Sequence, residues 1–388
     1  MIYWDHNATT PCAPEVVNIM SRYLSVDFGN PSSSHLAGRK AAKGMETARR
    51  QVAELAGCRP KEIVFTSGAT ESNNLIFLGI LLSGSTDRKQ IVVSSIEHKS
   101  VLNPASLLNE RGFDLIQLPV TADGVIDFGA AERMLSEQTL LVSVQAVNNE
   151  IGTIQPVERL ARLAHQHGAF FHTDAAQALG KIPVDLNQWG CDLASFSAHK
   201  LYGPKGVGAL FIRGGVGKWP WAHPFQGGGQ EGGLRPGTCN VPAIAGFGEA
   251  CRLASESLRE ETSRLNGLRD FFENSILSTI PHTYIHSRHA SRLPGISSLA
   301  FKEVPADLLI DNLEMICIGK GSACTAGAIE GSHVLASMGC DDAISNATIR
   351  VSFGMASSFD QIKLVIEKMA ASVSVIREKL GGGVHASK

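Results

Sequence analysis

The chain has 388 residues, with 35 Lys and Arg against 37 Asp and Glu, a formal net charge of −2, 44% hydrophobic and 19% charged residues. That length and mix argue for two globular domains that bury a core without staples, and they exclude wholesale disorder or a coiled coil. A charge near zero and an isoelectric point of about 6.7 remove the footprint of a dedicated nucleic-acid binder.

The longest nearly apolar stretch, Leu75 to Leu82, is far short of the roughly 20 residues that span a bilayer, so no membrane partner is expected. Met1 to Asn7 has neither the basic start nor the apolar run of a signal peptide, so a cytoplasmic location is expected. Eight cysteines (Cys12, Cys58, Cys191, Cys239, Cys251, Cys317, Cys324 and Cys340) contain no C-x-x-C pair. A disulfide framework and a cysteine-rich zinc site are both poor readings, and most of these thiols are expected to be reduced and buried.

Between about residues 38 and 213, continuous β-branched runs alternate with segments of helical period. The pattern predicts a largely parallel sheet covered on both faces. Strands are predicted at Glu62–Thr66, Ile91–Ser94, Asp114–Leu118, Leu140–Gln145, Ala169–Thr173, Leu193–Ser197 and Ala209–Ile212. Helices are predicted at Arg39–Ala56, Ser72–Leu82, Val101–Glu110, Phe128–Ser136 and Val157–His167. A Gly/Pro-rich stretch from Gly214 to Pro242 leads into a long helical pattern, about Ala243 to Leu277, that reads as a bridge between domains. Beyond Pro281, short strands (Ile296–Phe301, Met315–Ile318, Ile349–Phe353) and helices (Ala306–Leu313, Ser332–Met338, Phe359–Leu380) fit a smaller α+β domain. The division is residues 14–256 for a large domain, and 1–13 with 257–388 for a small one. The last eight residues, Gly381 to Lys388, read as a flexible tail.

Four places carry chemistry. Phe65-Thr-Ser-Gly-Ala-Thr-Glu-Ser-Asn-Asn74 runs from a strand through a small-residue turn into a helix. It is either an ordinary turn capped by Thr70 or Ser67, or a phosphate cradle of unpaired amides. Gly227, Gly229 and Gly232 make a formal G-x-G-x-x-G, but no strand precedes it and Pro236 interrupts the segment after it, so a dinucleotide fold is not supported. In His172-Thr-Asp-Ala-Ala-Gln177, Asp174 ends a buried strand where α/β sheets bind ligands; the readings left open are a helix cap, a metal pair with His172, or a carboxylate facing a cation. Lys200, in Ser195-Phe-Ser-Ala-His-Lys200, also stands at a strand end, where a depressed pKa makes an amine nucleophilic. A phosphate turn, an acid suited to a protonated pyridine nitrogen and a strand-end lysine are the parts a pyridoxal phosphate site needs.

Eleven segments strengthen that reading. They are Asp5 to Pro11, Gly29 to Ser33, Thr66 to Asn74, Glu97 to Val101, Val147 to Gly152, His172 to Gln177, Ser197 to Gly206, Gly227 to Glu231, Arg235 to Thr238, Gly321 to Cys324 and Arg350 to Gly354. In these segments, in their order along nearly the whole chain, the sequence resembles the NifS/IscS-type cysteine desulfurases of the class V aminotransferase group. The resemblance implies an α/β, fold-type I pyridoxal 5'-phosphate transferase with a mainly parallel seven-stranded sheet, usually a homodimer. Lys200 matches its Schiff-base lysine, Asp174 the partner of the ring nitrogen, Gln177 the donor to the ring hydroxyl, and His98 the histidine stacked on the ring. Ala69, Thr70, Ser197 and His199 match the phosphate cup, and Thr238 the threonine that reaches the phosphate from the other subunit. Asn149 and Arg350 match the pair that holds the substrate carboxylate.

Cys324 matches the cysteine that takes sulfur from L-cysteine as a persulfide, leaving L-alanine. Its setting, Gly319-Lys-Gly-Ser-Ala-Cys-Thr-Ala-Gly327, suits a mobile accessible loop, whereas Cys317, in an apolar run, is expected to be buried. A transaminase or kynureninase-like lyase would use Lys200 and Asp174 equally well but needs no such thiol. A non-catalytic scaffold has no need of the intact set of Lys200, Asp174, His98 and Arg350. The short Gly-rich end differs from the longer tail with which housekeeping members engage an iron–sulfur scaffold. The acceptor expected is therefore a protein of iron–sulfur cluster assembly or of nucleic-acid thiolation, with no direct nucleic-acid binding by this chain.

Overall fold

The computed structural model describes residues 1–84, 87–320 and 331–381. The first third contains β1 (Ile2–Tyr3), α1 (Pro14–Ser25), α2 (Leu36–Leu55), β2 (Ile63–Thr66), α3 (Ala69–Leu82), β3 (Gln90–Ser94), α4 (Lys99–Glu110) and β4 (Asp114–Leu118). Then come α5 (Phe128–Met134), β5 (Thr139–Ser143), α6 (Val157–Gln166), β6 (Phe170–Asp174), α7 (Leu186–Trp189), β7 (Leu193–Ser197), β8 (Gly208–Ile212) and α8 (Val241–Thr279). The remainder holds β9 (Thr283–Ile285), β10 (Ile296–Phe301), α9 (Ala306–Asn312), β11 (Ile316–Cys317), β12 (Gly319–Lys320), α10 (His333–Ser337), α11 (Asp342–Asn346), β13 (Thr348–Ser352) and α12 (Phe359–Gly381).

The expected α/β architecture is present. Seven strands form one sheet in the order β2-β8-β7-β6-β5-β3-β4, and β8 alone runs antiparallel to its neighbours β2 and β7. The continuous apolar runs have the predicted cause, since both faces are covered. Along β3, Val92 packs on one face of the sheet while Ile91 and Val93 pack on the other; Phe65 and Val64 divide in the same way on β2. Six strands running one way bring their C-terminal ends to one edge, the place where open α/β sheets bind ligands.

A second core holds Trp4, Leu268, Phe272, Ile276, Phe301, Ile349 and Met369 beside a four-stranded sheet ordered β12-β13-β10-β9. Helix α8, 39 residues long and so about 58 Å at the usual rise, contributes Phe247 and Cys251 to the first core and Phe272 and Ile276 to the second. Between the two lies the ion pair of Arg292 with Glu273, 2.7 and 2.9 Å, with both side chains almost fully buried.

The structure departs from expectation in several places. Helix α1 has no counterpart among the predicted elements: Pro14 and Glu15 sit in its first turn as helix starts favour, but Val16 is its only fully buried residue, so its apolar stripe is thin. The run expected at Met315–Ile318 is a strand at β11, shorter than expected, and a further two-residue strand, β12, follows it. β11 pairs with β1, and β12 pairs with β13, where Gly319 sits opposite Arg350. The chain changes sheet where a Cβ on Gly319 would come 2.9 Å from Asp5 Oδ1 and 3.0 Å from Arg350 Nη2. Cys317 is consequently only half-buried, on a two-residue strand with little to cover it. Of the seven described cysteines, all free, only Cys191 and Cys251 are fully buried; the expectation of mostly buried thiols does not hold because the others lie on caps, turns and short edges.

Among the described residues, no helix is long and apolar enough to cross a membrane. Breaking the buried Arg292–Glu273 pair leaves one charge uncompensated inside the protein. Arg292→Met is expected to cost about 3–5 kcal/mol, read as a lowered urea midpoint.

Candidate active site

A cleft of about 580 Å³ opens at the C-terminal edge of the large sheet. Its floor and walls come from the turns after β2, β3, β5, β6 and β7, and from the chain's first residues. Ala69, Thr70, His98, Asn149, Asp174, Gln177, Ser197, His199, Lys200 and Arg350 all line it. The large sheet's shared strand direction brings those from Ala69 to Lys200 to one place, and Arg350, 281 positions from Ala69, arrives from β13 of the smaller sheet. Thr238 is exposed and is not among the residues lining this cleft. Cys324 lies outside the described residues.

The turn after β2 is built for close approach. Gly68 has φ 155° and ψ 175°, a conformation open essentially to glycine alone, and it caps α3 without a side-chain hydrogen bond. Thr70 and Ser67 therefore do not supply the side-chain cap considered from the sequence. The helix start is left with its amides and positive dipole end facing the cleft, which favours an anion. β8 passes directly beneath: a Cβ on Gly208 would stand 2.6 Å from the Gly68 Cα. Glu71 also lines the cleft but is already paired, its oxygens accepting from Arg235 Nε and the Ser67 amide at 2.9 Å each.

Asp174, 7% exposed, accepts from the Ala176 amide at 3.0 Å and from Asn73 Nδ2 at 2.8 Å. The helix cap considered from the sequence is not formed: the residues after Asp174 make a turn rather than a helix, and it is that turn which Asp174 caps. A carboxylate has about four lone-pair sites, so capacity remains for a cationic N–H from the cleft. Asn73 Nδ2 also donates to Ser100 Oγ at 2.9 Å, and that hydroxyl stands 2.8 Å from His98 Nδ1. His98 Nδ1 also accepts from the Ser100 amide at 3.1 Å and thereby caps α4, which leaves the ring hydrogen on Nε2. Asn73 ties the acid to the histidine, a role its place within a longer motif did not reveal.

His172 is no metal ligand here. It is fully buried between Ser143 Oγ (2.8 Å) and Ser195 Oγ (3.1 Å), and burial pushes it down to about 4. Among the described residues, no group of three or more His, Cys, Asp or Glu could hold a metal ion.

Lys200 Nζ donates to the backbone carbonyls of Asn7 and Ala8, 2.7 Å each. Beside it, His199 is pushed down to about 4 by burial and then by Lys200, Lys205 and Lys181, so at neutral pH it is an uncharged ring. At the far wall, Arg350, 2% exposed, donates through Nη1 to the Asn149 carbonyl at 3.0 Å and through Nη2 to Asp5 Oδ1 at 2.5 Å. Its Nε has no partner among the described residues. An orphaned buried guanidinium N–H in a cleft is a donor awaiting an acceptor such as a carboxylate.

This donor set fits pyridoxal 5'-phosphate. An uncapped helix start with Thr70 and Ser197 suits the phosphate, Asp174 a protonated ring nitrogen, and Lys200 the aldehyde. Fold and cleft together define an α/β protein whose ligand edge gathers an anion-favouring helix start, a strand-end lysine, a buried acid and a buried arginine. The family description Aminotransferase class-V matches residues 2–365. The chain is 39% identical over 381 residues to the cysteine desulfurase IscS of Rickettsia typhi, covering 97% of this chain and 92% of that one. A solved NifS-like protein superposes with a TM-score of 0.89 at 36% identity, over 96% of this chain and 99% of that one. SspA in complex with cysteine superposes at 0.80 and 35% identity, over 91% and 99%. The chain belongs to the class-V aminotransferase family, in its cysteine desulfurase branch, whose members are pyridoxal phosphate enzymes acting on L-cysteine.

Glu97, next to His98, is fully buried. Its Oε1 accepts from Ser94 Oγ and the Gln145 amide at 2.7 Å each, and Oε2 has no partner among the described residues. Burial pushes this carboxyl up to about 8. Between about 4.5, where the unfolded carboxyl titrates, and about 8, the native state holds a proton that the unfolded state has released. Stability therefore falls as pH rises through that window. Glu97→Gln, neutral throughout, is expected to gain at least about 1 kcal/mol on wild type between pH 5 and pH 8.5, the weight of roughly one pKa unit, read from thermal melts at the two pH values.

Proposed function

We propose that this chain, with pyridoxal 5'-phosphate as its cofactor, converts L-cysteine to L-alanine and carries the sulfur on Cys324 as a persulfide to an acceptor protein. The observation that carries this reading is the convergence of Lys200, Asp174, Gln177 and His98 with the uncapped start of α3 at one end of a single cleft and Arg350 at the other. When bound, the cofactor supplies an electron sink that lets an amino acid lose its Cα proton.

The residues have distinct work. Lys200 would hold the cofactor's aldehyde carbon, and its amine is the base that would take and return the Cα proton. Asp174, kept in place by Asn73 and the Ala176 amide, would keep the ring nitrogen protonated. Gln177 would donate to the ring hydroxyl. Ala69, Thr70, Ser197 and the neutral His199 would hold the phosphate, with Thr238 contributed by the second subunit of a homodimer. His98, its ring fixed by Ser100, would stack on the cofactor ring. Arg350, with Asn149, would grip the substrate carboxylate through the Nε that has no acceptor among the described residues.

Cys324 thiolate attacks the substrate sulfur, the Cβ–S bond breaks, and its electron pair stays on the carbon skeleton, which becomes alanine on protonation. The sulfur remains on Cys324 as the terminal atom of a persulfide, so no external oxidant is needed. The acceptor belongs to iron–sulfur cluster assembly or nucleic-acid thiolation in the cytoplasm. Residues 14–256 form the cofactor-binding domain, and residues 1–13 with 257–388 the small domain that carries Cys324.

Three variants test the roles. Lys200→Ala is expected to lose the pyridoxal phosphate that borohydride fixes to the wild-type chain; equal fixation would remove its role. Cys324→Ala is expected to keep the cofactor's absorption yet yield neither persulfide nor transferred sulfur from L-cysteine. Arg350→Lys forfeits the planar paired grip, and KM for L-cysteine is expected to rise by about 10-fold or more, the weight of a hydrogen bond to a charged group.

A further inference from the structure

Behind Lys200 stands a second lysine that the reaction does not use. Lys181 Nζ lies 2.8 Å from Gln177 Oε1 and 3.2 Å from Asn7 Oδ1, beside a small cavity of about 70 Å³ bounded by α8 and the chain's first residues. Gln177 Nε2 donates to the Asn7 carbonyl at 2.9 Å, the same oxygen that receives Lys200 Nζ. A backbone carbonyl only accepts, and Lys181 donates, so the Gln177 amide is held at both ends in one of its two flips. Gln177 is buried and lines the cleft, and the second hydrogen of Nε2 is what it presents there.

We infer that Lys181 is a positioning residue: by occupying Gln177 Oε1 and anchoring the Asn7 side chain, it makes Gln177 an obligate hydrogen-bond donor toward the cofactor ring oxygen. The inference rests on the reading of the cleft as a pyridoxal phosphate site. Without Lys181, Oε1 is a buried acceptor with nothing to accept, and rotation of the amide relieves that cost at the expense of the donor. The groups facing Lys181 are Lys200, His199 and Tyr202 from the turn after β7, His6 from the first residues, Arg350 from β13, and Glu261 from α8. Burial first, then Lys200 and Arg350, push the Lys181 amine well below its ordinary value.

The test is a pH titration of the visible absorption band of the pyridoxal phosphate-loaded protein, which reads the proton shared between the ring oxygen and the Lys200 nitrogen. A donor to that oxygen stabilises its anionic form and lowers the midpoint. Lys181→Met is expected to raise the midpoint by about one unit, the weight of one such hydrogen bond, and Lys181→Arg to stay near wild type. In a Gln177→Leu background, Lys181→Met is expected to add nothing further, the non-additivity of residues acting as one unit. An unchanged midpoint in Lys181→Met, or an equal shift with and without Gln177, overturns the inference. Should Lys181→Met fail to load, Lys181→Gln and Lys181→Arg decide: Gln shifted and Arg unshifted supports it, and equal shifts overturn it. A wild-type protein that takes up no pyridoxal phosphate would sink the reading of the cleft, and this inference with it.

Discussion

Lys200 is held by the carbonyls of Asn7 and Ala8, and much of the molecule is arranged so that those two carbonyls stand there. Residues 2–13 form a strap across the C-terminal edge of the large sheet. Ile2 and Tyr3 pair with β11. The Ser352 amide donates to the Trp4 carbonyl at 2.8 Å, the Asn7 amide to Ser352 Oγ at 3.0 Å, and the Thr10 amide to the His199 carbonyl at 2.9 Å. The Ala13 amide then donates to the Tyr202 carbonyl at 3.0 Å. One strap thus carries Trp4 into the second core, Asp5 to Arg350, and Asn7 and Ala8 to Lys200. An error in either sheet would be transmitted to the lysine through a handful of backbone hydrogen bonds.

The cleft's charge is unevenly arranged. Lys200, Lys205 and Arg350 line it against Asp174 and Glu71. Glu71 is tied to Arg235 and Asp5 to Arg350, so the acid at the deep end stands out against a cationic wall. Such a field suits a ligand carrying a phosphate at one end, a carboxylate at the other and a protonated nitrogen between. Desolvation does the finer adjustment. His199 and His172 are held uncharged, and Glu97 keeps its proton at neutral pH, so the cations that remain are the long side chains able to reach a ligand.

How much was legible in the chain depends on which physical signal carried each part. The parallel sheet was readable because strands buried on both faces leave unbroken apolar runs, and Lys200 and Asp174 because strand ends in such sheets are ligand edges. Helix α1 and the second short strand, β12, just beyond Met315–Ile318 were not. One has a thin apolar stripe, and the other turns on Gly319 passing beside Asp5 and Arg350, a contact in which Gly319 and Asp5 are more than 300 residues apart in sequence. Asn73, Asn7, Asp5 and Lys181 have roles made only by tertiary contact. An asparagine that bridges Asp174 to Ser100 looks, in sequence, like any polar residue near a helix start.

The two elements that flank residues 321–330 are each held at the cleft by contacts distant in sequence. The chain enters residues 321–330 from β12, whose Gly319 lies opposite Arg350 and whose Lys320 lies opposite Ile349. It leaves them into α10, where His333 Nε2 stands 3.0 Å from the Glu97 carbonyl, one residue from His98, and where Ser332 Oγ donates to Glu150 Oε2 at 2.5 Å. The residues flanking 321–330 are thus both pinned at the cleft, Gly319 opposite Arg350 and His333 one residue from His98. The β12–β13 pairing that positions Arg350 therefore also fixes one border of the cleft, and the Ser332 and His333 contacts fix the start of α10 against Glu150 and Glu97.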